Sequence, residues 1–471
     1  MTDSSTIPKR EGDGEREALD LKEQPILEQL LAVREQLFRL KQDKSTYIRA
    51  SDIVPLYDQI IEQVHSLNEI RKEERQEQNR VDKVLDDCFQ LISLFFLTIG
   101  RNNEAPAVYA TTSTLKRLLD HLTEARLYCA KDLESITATL EDTKTIVKKG
   151  KDKYSPQLLT LLEARIDICE KILKDRDDDI SGISPELAPI HEKMISILRS
   201  ISAANTKQKF PPKEVKDLQA QLREIEDAKI DGHFVGPHVG KEAGQTLLAE
   251  LLSRCLMWSE TVLERQGKID NGFQLTYDEL RDVRNQLAKL TLTQAWSLRE
   301  TDLYGFQRTL DKIDEARVEG NFLDAQGNQA DLYHQRTLLY LIRRSYAYIY
   351  SLIVSSEPVS EALLPVYNQL QTLRRCLLEV KRSGGVSSPR ELYPYSMKLN
   401  SIDNMRVDGR FVLGSEFPEG QGSVISLLEE CFELSYELRV AAEGEEEAHK
   451  EDENPNGANG PKGAAEEKVG A

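Results

Sequence analysis

The sequence predicts an all-α fold, on three observations. Apolar residues recur at three- and four-residue spacing through most of the 471 residues, the period of one helix face. Glycine (25) and proline (17) are scarce for that length, where an all-β chain would need more of both for its turns. One phrase occurs three times, as LREIEDAKIDGHFV (222–235), LDKIDEARVEGNFL (310–323) and LNSIDNMRVDGRFV (399–412). Its glycines, Gly232, Gly320 and Gly409, stand 88 and then 89 residues apart, and a fixed period of this kind marks a repeated structural unit.

Taken in order, residues 1–24 are charged and aperiodic and are expected to be disordered. Leu27, Leu30, Leu31, Val33, Leu37 and Leu40 predict a helix over 26–43. Pro55 suits the first turn of the next helix, whose stripe is Leu56, Ile60, Val64 and Leu67 and which should run on into RKEERQEQNR. A mostly apolar helix over 81–100 ends at Gly100. Helices are expected over 113–148 and 157–175. The acidic DRDDDISGISPE (175–186) is the candidate boundary between an N-terminal helical domain, 25–178, and a C-terminal array, 184–441. That segment lacks the ligand spacing, central glycine and closing Glu of a calcium loop. The array divides into three units of about 88 residues, near 184–272, 273–360 and 361–441. Its last two units also share Leu303-Tyr304-Gly305-Phe306 and Leu392-Tyr393-Pro394-Tyr395, placed alike before the phrase. Residues 442–471 are a low-complexity acidic tail, expected to be disordered.

The phrase itself reads as a corner. Leu222/Ile225, Leu310/Ile313 and Leu399/Ile402 lie one turn apart on a helix. An acid then precedes a base by three residues (Glu226/Lys229, Asp314/Arg317, Asp403/Arg406), a pair that contributes about 0.2–0.5 kcal/mol on an exposed face. The glycine closes the helix in the left-handed conformation, and Phe234, Phe322 or Phe411 follows two residues later to fold back on the last turn. The three corners are therefore read as architecture, although a binding surface at them is the functional alternative.

The net charge is −18. The last 31 residues hold nine acids against three bases, and the first 24 hold seven against four, so the body is acidic too. That sign opposes phosphate backbones and anionic lipid, and neither nucleic acid nor membrane is an expected partner. The most apolar run, CFQLISLFFLTI (88–99), is shorter than the ~18 residues of a membrane span. With no secretory leader at the start, the expected location is cytoplasmic or nuclear. The four lysines Lys148, Lys149, Lys151 and Lys153 read as a solvated helix end. Six cysteines stand singly, as free buried thiols in a reducing compartment do.

No nucleotide-binding, metalloprotease or nucleophile-elbow motif occurs, and no catalytic residue, cofactor or metal is assigned. His233 and His238 share a loop without a third ligand. The remaining candidate lies in LYHQRTLLYLIRRSYAYIYSLIV (332–354), apolar nearly all round and hence buried or lining a groove. Arg343 and Arg344 interrupt it, beside Tyr340 and Tyr346. Arginines there need acidic partners, so these four residues are the candidate site for a phosphate, a carboxylate or a protein partner. Internal ion pairing or snorkelling is the structural alternative. Ser4, Ser5 and Thr6 are possible points of phosphorylation.

The run LKQDKSTYIRASDIVPLYDQIIEQVHSLNEIR (40–71), with the glycine phrases, resembles a family of uncharacterised fungal proteins whose domain of unknown function occurs in more than one copy per chain. The resemblance covers most of 25–440. It implies a fungal intracellular protein and supplies no catalytic residue and no cofactor. The reading that follows is a non-enzymatic interaction or scaffold protein that binds protein partners through a groove between stacked helical units. The alternative is an enzyme or small-ligand binder with an anion pocket at Arg343 and Arg344.

Overall fold

The computed structural model describes residues 21–71, 79–234, 243–412, 414 and 416–453. The chain is all-α, as its periodicity predicts. Its helices are α1 (Gln24–Gln42), α2 (Ala50–Ile70), α3 (Arg80–Thr98), α4 (Val108–Ala125), α5 (Ala130–Lys149), α6 (Pro156–Ser181), α7 (Ala188–Asn205), α8 (Pro212–Asp227), α9 (Gln245–Arg265), α10 (Gln274–Ser297), α11 (Leu303–Glu315), α12 (Leu332–Val354), α13 (Leu364–Arg382), α14 (Tyr393–Asp403) and α15 (Gln421–Glu453). Among the described residues the one sheet is a two-residue pair, β1 (Arg406–Val407) with β2 (Arg410–Phe411).

Helix ends differ from the sequence reading for local reasons. Pro25 sits in the first turn of α1, where a missing N–H costs nothing. Just before it, Glu23 is fully buried and receives the Arg71 guanidinium at 2.6 Å, although residues 1–24 are expected to form a disordered tail. Pro55 lies within α2, which starts five residues earlier at Ala50. Asn79 and Asp82 form a reciprocal capping box on α3. The expected helix over 113–148 is two helices, because Arg126 takes a left-handed φ of 47° and stops α4. Helix α6 runs through the acidic DRDDD stretch to Ser181. Helix α15 continues past Ala442 to Glu453, carrying helix into the expected acidic tail. The expected continuation of α2 and residue His238 lie outside the described residues.

Two compact units divide the chain, the first ending at Pro358 and the second starting at Val359. The 178/184 boundary falls inside the first unit, because α6 connects to α7 by a short turn and Ser184 bonds back to Ala243 at 3.1 Å. The second unit has its own core, centred on Leu370, Leu399, Ile402, Val424, Leu428 and Cys431. No helix among the described residues is long and apolar enough to cross a membrane. Cys88, Cys129, Cys169, Cys255 and Cys431 are buried free thiols and Cys376 is exposed.

The glycine phrases are corners, but of a different kind from a helix stop. Each helix ends four residues or more before its glycine, at Asp227, Glu315 or Asp403. The glycine is the second central residue of a tight hairpin. Asp231-Gly232, Glu319-Gly320 and Asp408-Gly409 have φ near 50° and then 78–80°, the type I′ pattern in which both central residues are left-handed. Backbone pairing flanks each turn, as Ile230 with His233, Val318 with Asn321, and β1 with β2. A glutamine at the start of the following helix then clamps the phenylalanine. Phe411 donates its N–H to Gln421 Oε1 at 3.0 Å, and Gln421 Nε2 returns a bond to the Phe411 carbonyl at 2.7 Å. Gln245 does the same for Phe234, and Gln335 for Phe322.

Candidate functional site

The four candidate side chains occupy three different settings. Arg343, in α12, is buried at the C-terminal end of α4. There the backbone turns at left-handed Arg126 and leaves carbonyls without intrahelical donors. Arg343 Nη1 and Arg199 Nη2, the latter from α7, each donate to the Leu127 carbonyl at 3.2 Å. Arg254 of α9 donates to the Ala125 carbonyl at 3.1 Å. Cations at a helix C-terminus are favourable for the dipole as well as for the carbonyls. Arg199 is neutralised by Asp132. Arg343 has no acid at ion-pair distance among the described residues, and its Nε has no hydrogen-bond partner. Burial, and then Arg199, pushes its pKa down to about 10.

Arg344 points the other way. It is exposed, lies 4.3 Å over the Tyr348 ring and donates to the Tyr348 hydroxyl at 3.1 Å. Tyr340 is buried between the two arginines; burial raises its phenol against the opposing pull of Arg344, Arg284 and Arg343. Near Tyr348 an open hollow of about 490 Å³ is lined by Lys207, Arg281, Asp282 and Arg284 among others. Lys207 pairs with Glu214 and Arg281 with Asp278, while Arg284 donates to Thr206.

Tyr346 belongs to an interior polar network that joins α4, α11 and α12. Its hydroxyl donates to Asp311 at 2.6 Å, and burial followed by the Asp311 charge raises its pKa. Asp311 itself is shifted up by burial, against the opposing charge of Arg117 3.4 Å away. One turn on, Asp314 Oδ2 meets His121 Nε2 at 3.2 Å and Asp314 Oδ1 accepts from Arg317 at 2.9 Å. Arg317 also pairs with Glu124. The phrase's acid–base pair is expected on an exposed helix face, and the first copy keeps Glu226 exposed. In the middle copy it is buried and ties two helices together.

Sequence reasoning missed Arg199, Arg254, His121, Asp311 and the clamping glutamines. Partners in the network lie 193 residues apart, as Asp314 does from His121, beyond any local spacing. The glutamines follow their phenylalanines by 11, 13 and 10 residues, so loop length hides the repeat. The Asp-Gly pairs at 231–232 and 408–409 did carry the hairpin signal, which Glu319-Gly320 lacks.

One group of side chains has metal-ligand composition, namely Asp270, Asp331 and His334. Their arrangement is that of a helix cap. Asp331 accepts the His334 backbone N–H at 2.9 Å and contacts its Nδ1 at 2.6 Å, while His334 Nε2 accepts the Asp270 N–H at 3.1 Å. Arg265 supplies the cation beside Asp331.

A family model described as a protein of unknown function (DUF2408) matches residues 180–300 and 356–455. The chain is 40% identical to a CUB1 family protein of Schizosaccharomyces pombe over 432 residues, 90% of this chain and 94% of the relative. It is 36% identical over 502 residues to the Cu(2+) suppressing and bleomycin sensitive protein 1 of Saccharomyces cerevisiae, covering 89% and 90% of the two chains. No solved structure matches.

Proposed function

The chain belongs to the CUB1 family, and from that premise we propose that it is a non-enzymatic helical interaction protein that binds protein partners through a groove. Three like units of about 88 residues form the array, α7–α9, α10–α12 and α13–α15, each two helices, a clamped hairpin and a third helix. The observation that carries the reading is where the buried charges go. Asp311, Asp314, His121, Arg117 and Arg317 meet one another across helix contacts, and Arg343, Arg199 and Arg254 meet helix-end carbonyls. Groups placed so hold helices together; a catalytic set would converge on a space for substrate. The proposed location is the cytoplasm or nucleus. Affinity purification of the full chain from its native organism, read by mass spectrometry, tests this. A reproducible protein partner is the expected result, and a copurifying small molecule with no stable protein would overturn it.

A second reading keeps an anion site at Arg343 alone, favoured by its buried Nε without a partner, since Arg344 lies exposed against Tyr348. Its test is thermal melting with added inorganic phosphate. Stabilisation that disappears in Arg343→Met would favour the pocket over the interaction reading.

A further inference from the structure

We infer that the junction where the C-terminal end of α4 meets α9 and α12 is a binding site for a doubly charged phosphate group, held by Arg254 and Arg336. The site lies beyond both readings above. The interaction reading gives this junction no ligand, and the anion reading rests on Arg343 alone.

Three guanidiniums converge on three consecutive carbonyls. Arg254 Nη2 donates to Ala125 at 3.1 Å and to Arg126 at 3.4 Å, while Arg199 and Arg343 both donate to Leu127. Arg126, exposed, belongs to the same turn. Arg336 stands beside them. Trp258 follows Arg254 by one turn on α9, and Arg336 lies 5.6 Å over its ring. That ring is fixed by its N–H bond to Ser202 at 3.1 Å and by the Tyr333 ring 5.8 Å away. Arg336 also precedes Arg343 by seven residues, two turns along one face of α12.

Charge is out of balance here. Of these five arginines, Arg199 alone has an acid at ion-pair distance among the described residues, namely Asp132. Glu250, one turn before Arg254, acts on it from an exposed position beyond that distance. Set against both acids and about half a negative charge at the helix end, the five arginines leave an excess of about two and a half positive charges. This stands in a chain of net charge −18. Burial and then Arg254 lower the pKa of Arg336, and burial and Arg126 together lower that of Arg254. Where acids are supplied the direction reverses. Arg71 meets Glu23 and Asp82, Arg165 meets Asp86, and Arg317 meets Glu124 and Asp314, and against burial those acids raise all three.

The donors left over specify the ligand. Arg254 spends Nη2 on the carbonyls and keeps Nη1 and Nε. Arg336 makes no hydrogen bond among the described residues, so its whole planar fork is available to two oxygens of one anion. Arg343, buried with its Nε unpartnered, adds charge to the site. A carboxylate brings one negative charge and leaves most of the excess standing, whereas a phosphate group at neutral pH or above brings close to two. A phosphorylated side chain of a partner and a free phosphate compound present the same group, and the experiment separates them.

The test uses the full chain at constant ionic strength, with chloride replacing the probe. Inorganic phosphate at pH 8 should bind saturably by isothermal titration calorimetry and raise the melting temperature. Arg336→Gln, which breaks no hydrogen bond of the fold, should weaken that binding about tenfold or more, and Arg254→Gln likewise. Arg344→Gln, in the exposed pair with Tyr348, should leave it unchanged. A fluorescent phosphoserine peptide, compared by anisotropy with its unphosphorylated form, assigns the source. Tighter binding of the phosphopeptide than of inorganic phosphate means a partner's side chain, and the reverse order means a free phosphate compound. No saturable binding by wild type, or binding unchanged in Arg336→Gln, would overturn the site. So would binding lost in Arg343→Met and kept in Arg336→Gln, which would put the anion at Arg343 as in the second reading.

Discussion

Gln421 illustrates how one side chain can hold a corner. It takes the N–H and returns to the C=O of Phe411, satisfying a backbone unit that the short hairpin leaves unpaired. Gln421→Ala should cost about 1–3 kcal/mol, since both Phe411 groups would be left half-buried without partners. Gly409→Ala should cost about 1 kcal/mol. A Cβ there meets nothing within 4 Å, so the penalty is the positive φ alone. Urea denaturation of the two variants gives the order; a smaller loss for Gln421→Ala than for Gly409→Ala would reject the clamp. The thiols are a second case. Burial pushes Cys88, Cys169 and Cys255 up to about 12 and Cys431 to about 11, and only Cys376 is exposed. A disulfide exchange reagent at neutral pH should titrate one fast thiol in the native chain and six after denaturation. Two or more fast thiols would contradict the burial.

At the scale of helices, buried charge acts in opposite ways at two places. Asp314 joins His121, Arg117 and Arg317 between α4 and α11. Asp314→Ala leaves Arg117, Arg317 and the His121 ring without their common partner and should cost about 3–5 kcal/mol. Arg343→Met removes a buried guanidinium that has no acid, and Leu127 keeps its bond from Arg199. That change should stay within about 1 kcal/mol of wild type or stabilise. Chemical denaturation of both variants decides, and similar losses would mean that Arg343 has an anionic partner in solution. The α1–α2 contact adds a pH dependence. Arg71 and Asn79 hold the buried Glu23 carboxyl below the usual carboxylate range against the opposing effect of burial. A depressed pKa contributes stability above the unfolded value and loses it as pH falls through the folded value. Wild type should therefore weaken below the ordinary glutamate range, and Glu23→Gln should flatten that part of the acid limb. Superimposable acid limbs would remove Glu23 from the account.

On the scale of the whole molecule, the second unit carries its own core of α13, α14 and α15. A fragment of residues 359–453 should melt cooperatively with helical circular dichroism. A broad, non-cooperative transition would show that its core is insufficient without the rest of the chain. The acidic run at 175–186 looked like a linker because composition marks loops, yet α6 continues through it to Ser181. Composition alone does not say whether a charged stretch lies on the outer face of a helix. The same limit hid the covered face of α11, since Tyr304 and Tyr393 are the same residue in the same phrase and only one is buried.

What the sequence determined by itself is the helical class. It rests on local physics: the period of apolar residues along the chain. What only the tertiary structure decided is the setting of each charge and aromatic ring. His121 meets Asp314 across 193 residues, and Arg343 meets a carbonyl 216 residues away. No local pattern encodes contacts of that separation, because they depend on which helix packs into which groove.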